Sequence, residues 1–93
     1  MMDEEIIKIK EIATSMKARG LRLLENSEYI HEHQKIILCE YVVSLSNALK
    51  LLRAYNSGKQ SNYYIMLIIK QFMEHSLLIE KELREQSISL DVH

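Results

Sequence analysis

Apolar residues recur along most of this chain at intervals of three and four, the spacing that gathers side chains on one face of an α-helix. Three such runs can be traced. The first spans about Asp3 to Glu25 and sets Ile6, Ile9, Ile12, Ala13, Met16, Gly20, Leu23 and Leu24 on one face. Asp3, Glu4 and Glu5 stand at its start, where the helix dipole favours negative charge. Gly20 falls on the apolar face, where it allows a neighbouring helix to come close or else marks a kink or early end. The second run spans about Glu28 to Asn56, with Ile30, Ile37, Leu38, Tyr41, Val42, Leu45, Ala48, Leu49, Leu52 and Tyr55 inward. Asn26 and Ser27 separate the two runs, and either can cap a new helix. They are mild breakers, so a single bent rod is the rival reading of the first two runs.

The stretch from Asn56 to Asn62 is the clearest loop. Gly58 suits the left-handed position that ends a helix, and Ser61 or Asn62 can cap the next one. A third helix is then expected from about Tyr63 to Gln86, with Ile65, Ile68, Ile69, Phe72, Ser76, Ile79 and Leu83 facing the core. The tail from Ser87 to His93 is expected to fray. Three amphipathic helices joined by short connections predict an all-α fold, a three-helix up-down-up bundle formed as one domain over residues 1–93. The absence of proline favours long helices, and the β-like stretches Ile36 to Val43 and Tyr63 to Ile69 lie inside longer helical patterns. A domain of 93 residues has a thin stability margin, which association would widen.

A three-helix bundle needs one apolar stripe per helix, and this chain has more. Ile36, Val43 and Ala54 point away from the second helix's core face, with Leu51 on its flank. Leu67 and Leu78 lie nearly opposite Phe72, and Leu77 and Met66 widen that patch. Ile7, Ala18 and Leu21 sit off the stripe of the first helix. Scattered exposed apolar residues are ordinary on any protein surface. Because two helices carry the surplus, the stronger expectation is a second buried surface, in a homodimer or against a partner protein, built on Ile36, Val43, Leu51, Leu67 and Leu78. Glu40 and Asn47, on the Ile36 and Val43 side, would set its register.

Charge and candidate chemistry alter this picture little. The net charge of -1 favours neither polyanion nor membrane-surface binding in bulk. The longest apolar run, Tyr63 to Ile69, is too short to span a bilayer, and no apolar signal core follows the acidic start. A lone cysteine, Cys39, fits a reducing compartment, so a cytoplasmic protein is expected. Beside the core stripe and next to Glu40, Cys39 reads as a packing residue and not a nucleophile. Glu28 and His31 share the Glu-x-x-His spacing of di-iron bundles, and His33, His75, Glu74 and Glu80 could add ligands. That match is weak in a glutamate-rich helical chain, and no cofactor or metal is expected. Residues 8 to 22 hold five cations against Glu11, a local +4. Lys8, Lys17, Arg19 and Arg22 therefore suggest a second class, a nucleic-acid-binding regulator using the basic side of the first helix. Glu28 and Glu32 at the head of the next helix oppose a helix-turn-helix version of it. The segment from Glu74 to His93 is acidic, a local -3, and Glu80 and Arg84 are spaced to pair. The sequence as a whole points to a non-enzymatic helical module for protein–protein interaction.

Overall fold

The computed structural model of the chain describes residues 4–26, 30–56 and 63–86. They form three α-helices, α1 (Glu4–Glu25), α2 (Glu32–Asn56) and α3 (Tyr63–Glu85). No strand occurs among the described residues. The fold is the expected all-α three-helix bundle. α2 is its central element, packing α1 along one flank and α3 along the other, while α1 and α3 scarcely approach each other.

Both pairings are antiparallel. Gly20, late in α1, lies against Tyr41 and Val42, in the first half of α2. Gln34 near the start of α2 bonds Gln86 just past the end of α3, and further along Tyr41 meets Glu80 and Glu40 meets His75. Chain direction therefore runs up, down and up.

The core lies on the inner faces the hydrophobic periodicity selected. Ile6, Ala13 and Met16 are buried from α1, Leu38, Tyr41, Leu45, Ala48, Leu49 and Leu52 from α2, and Ile69, Ile79 and Leu83 from α3. Gly20 is buried as well. A Cβ there would stand 3.0 Å from Val42 Cγ2 and 3.1 Å from Tyr41 Cδ2, so the glycine serves close helix approach inside a continuous α1.

Three expected core positions lie elsewhere. Ile12 is 52 % exposed and Ile68 40 %. Phe72 is only half-buried. Ile12 and Ile68 sit at the edges of their stripes and Phe72 near the middle of its own, and each belongs to an outer helix with a single close neighbour. α3 turns Met66 and Met73 toward the core in place of Ile68 and Phe72.

α2 begins at Glu32, four residues later than the pattern suggested. The His31 carbonyl accepts from the backbone N–H groups of Gln34 and Lys35, both at 3.0 Å. The Gln34 side chain reaches back to accept the His31 N–H, also at 3.0 Å. This is one arm of a capping box, with histidine where serine or threonine is usual. The break between α1 and α2 is real, which excludes the bent rod. Asp3, Ser27, Glu28, Gly58, Ser61, Asn62 and the tail Ser87 to His93 lie outside the described residues, so the helix-start, capping, loop and fraying expectations placed on them do too.

Candidate functional site

Polar ties between α2 and α3 come first, because they fix how the outer faces sit. Gln34 is 7 % exposed and donates from Nε2 to Gln86 Oε1 at 3.0 Å. The fully buried Tyr41 donates its hydroxyl to Glu80 Oε2 at 3.3 Å, and Arg84 approaches the other Glu80 oxygen at 3.5 Å. That last contact is the expected spacing of four along a helix, and its arginine is exposed, so it adds little stability. At the rim, Glu40 Oε1 lies 2.9 Å from His75 Nε2, with both side chains about half exposed. These contacts lock α3 against α2 in one register and one rotation.

The surplus apolar residues lie where solvent reaches them. Ile36 and Leu78 are each 65 % exposed, Val43 is 56 % exposed, and Leu67 and Leu77 are exposed as well. Leu51 differs, being half-buried and packed against the core, so as an interface residue it belongs at the edge at most. Ile36 and Val43 are seven residues apart and share a face of α2, and Leu67 and Leu78, eleven apart, share one on α3. Tyr63 and Tyr64 open α3 with both rings exposed and edge-to-face, their centroids 6.2 Å apart. They extend the apolar surface of α3 toward its first turn, and their amphipathic rings suit an interface.

The basic residues divide. Lys8, Arg19 and Arg22 fall within an arc of about 60° on α1, whereas Lys17 lies nine residues from Lys8, about half a turn round the helix, and is half-buried. Lys8, Arg19 and Arg22 therefore share one face, and Lys17 stands apart from it. A shallow groove of about 560 Å³ runs along α1 beside that arc, lined by Ile7, Lys10, Glu11, Thr14, Ser15 and Ala18.

Cys39 is exposed, not packed inside as expected, because it lies more than a quarter turn from the inward line of Leu38 and Tyr41. His31 and His33 stack with centroids 5.9 Å apart at the start of α2, and Glu28 of the Glu-x-x-His pair lies outside the described residues. Among the described residues, no group of three or more His, Cys, Asp or Glu stands close enough to hold a metal ion. None of their helices is long and apolar enough to cross a membrane.

No protein-family model, no curated protein and no solved structure matches this chain. Function is therefore read from the chain's own surfaces.

Proposed function

We propose that this chain is a non-enzymatic helical module for protein–protein interaction, working in the cytoplasm as a homodimer or as an accessory subunit of a larger assembly. One observation carries the reading: a closed core leaves Ile36, Val43, Leu67, Leu77 and Leu78 outside it, on two adjacent helices. Large apolar side chains gathered in this way favour a protein companion, since burying each one fully is worth about 1.5–3 kcal/mol. The small size of the domain works in the same direction.

The test compares the companions of the wild-type chain with those of an Ile36→Glu/Val43→Glu/Leu78→Glu variant, by light scattering of the pure protein and by affinity capture from native extract. The variant is expected to keep its helical circular dichroism and to lose the self-association or the captured protein that the wild type shows. A variant that keeps every companion, or a wild type with none in either assay, refutes the reading.

A further inference from the structure

The outer side of α2 carries a line spaced four, three, four, three, four: the exposed Ile36, Glu40, Val43, Asn47 and Lys50, and the half-buried Ala54. At about 100° per residue these fall within about 80° of arc, a straight seam on the helix surface. α3 carries a second line with the same spacing: Tyr64, Ile68, Gln71, His75, Leu78, Glu82. The 2.9 Å contact between Glu40 and His75 joins a member of one line to a member of the other. The two seams therefore lie side by side on one face of the α2–α3 layer. α1 packs on the other flank of α2, where Gly20 meets Val42 and Tyr41, and leaves this face open.

We propose that a second copy of this chain occupies that face, with its α2 running antiparallel to the first. The proposal rests on the interaction reading above and names its partner. Because the spacing is symmetric about Leu45, an antiparallel pairing sets Ile36 against the Ala54 position of the second copy, Glu40 against Lys50, and Val43 against Asn47. Ile36 meets the small Ala54, Val43 meets the amide of Asn47, and the acid meets the base on both sides of the centre. The parallel arrangement would set every residue against itself, placing Glu40 on Glu40 and Lys50 on Lys50. Charge thus selects the antiparallel form.

The α3 seam obeys the same two-fold axis. Counting on from the Glu40–His75 contact places Leu45 abreast of Lys70, and counting on from Tyr41–Glu80 places it abreast of Ser76. Midway lies Met73, the centre of the second seam. Rotation about that axis sets Ile68 against Leu78, Gln71 against His75, and Tyr64 against Glu82. These are an apolar pair, an amide–imidazole hydrogen bond, and a phenol near a carboxylate.

From Ile36 to Ala54 the face is about 27 Å long, and two helices make it about 20 Å wide. That footprint of about 540 Å², with side-chain relief added, approaches the roughly 800 Å² per partner of a standard interface. With Glu40, Asn47, Lys50 and Gln71 in the seams, a reversible micromolar dimer is expected, not an obligate one.

Charge reversal tests the pairing. Glu40→Lys and Lys50→Glu, each alone, place like charges together on both sides of the centre and should weaken self-association about tenfold in sedimentation equilibrium. Mixed in equal amounts, the two variants should associate again, because every charged pair between the two unlike chains is then complementary. An unfolded variant cannot give that rescue. If Glu40→Lys loses helicity through the broken His75 contact, Glu40→Gln mixed with Lys50→Glu replaces it, and tighter mixed than separate association is still expected. A wild-type dimer unaffected by either reversal, with no gain on mixing, overturns the antiparallel pairing while leaving an interaction module that uses another face. A wild type still monomeric at ~100 µM overturns the self-pairing too, and capture of a different protein that the apolar triple variant loses would then sustain the broader reading.

Discussion

Replacing Gly20 with alanine sets two known effects against each other, and the geometry decides the sign. In an exposed helix interior, glycine to alanine stabilises by about 1 kcal/mol, through reduced backbone entropy in the unfolded chain and better helix propensity. Here the new methyl group would meet Val42 Cγ2 at 3.0 Å, Tyr41 Cδ2 at 3.1 Å and Tyr41 Cε2 at 3.3 Å. Neither neighbour yields easily. Valine is β-branched and held to one rotamer in a helix. The Tyr41 ring is fully buried, and its hydroxyl is tied to Glu80 on α3. Relief must come from moving α1 away from α2, and overpacking of this kind costs about 1–3 kcal/mol. Gly20→Ala is therefore expected to destabilise by about 1 kcal/mol net, a fall of about 4–8 °C in Tm for a domain of this size.

Urea and thermal unfolding followed by circular dichroism measure this directly. Several protein concentrations are needed, because self-association adds a concentration-dependent stability. Adding Val42→Ala removes the closest of the three atoms, so Gly20→Ala should cost less, or stabilise, in that background. The coupling between the two sites should be about 0.5–1.5 kcal/mol. A single Gly20→Ala that raises stability by about 1 kcal/mol, with no coupling to Val42, would show that α1 and α2 do not touch through this glycine.

Two further outcomes follow from the polar ties. Gln34→Ala removes both the acceptor for the His31 N–H and the donor to Gln86, and should cost about 1–3 kcal/mol, with faster amide exchange in the first turn of α2. Gln34→Glu keeps the acceptor for His31 and should lose less. Tyr41→Phe removes only the hydroxyl that meets Glu80, and a loss of about 0.5–1.5 kcal/mol in urea unfolding is expected, since Arg84 still approaches that carboxylate. A loss above about 3 kcal/mol would mean that the ring itself had shifted.

Helix packing was legible at the centre of most stripes and illegible at the edges, with Phe72, half-buried at the centre of the α3 stripe, the exception. α2 came through best. Leu38, Tyr41, Leu45, Ala48, Leu49 and Leu52 are all buried, because two neighbours widen the covered arc and forgive small errors of phase. On α1 and α3 a single neighbour covers a narrower arc. There Ile12 and Ile68, at the margins of their stripes, fall outside. Gln34 could not be found by hydrophobic pattern, since it is polar and buried, and its reason is a cap completed by a distant glutamine. A glutamine three residues after a possible cap is the signal that exists for it, but with histidine in the cap position the usual signature is missing. Lys17 stands apart from the face that Lys8, Arg19 and Arg22 share, because nine residues carry it half a turn round the helix from Lys8.

The exposed face of α2 shows how a module can keep an apolar surface without aggregating through it. Ile36 and Val43 by themselves would make an unspecific patch, open to any apolar partner. Glu40, Asn47 and Lys50 occupy three of the six seam positions, so a partner must answer one acid and one base at a fixed interval or leave them desolvated and unpaired. Leaving a charged group buried without its partner costs more than the flanking apolar contacts return. Glu40 is restrained further by His75, which holds the carboxylate at the boundary between the two helices. The polar positions thus supply specificity and the apolar ones affinity. In this chain the acid and the base occupy positions symmetric about Leu45, so a second copy laid antiparallel, as proposed, would answer both charges.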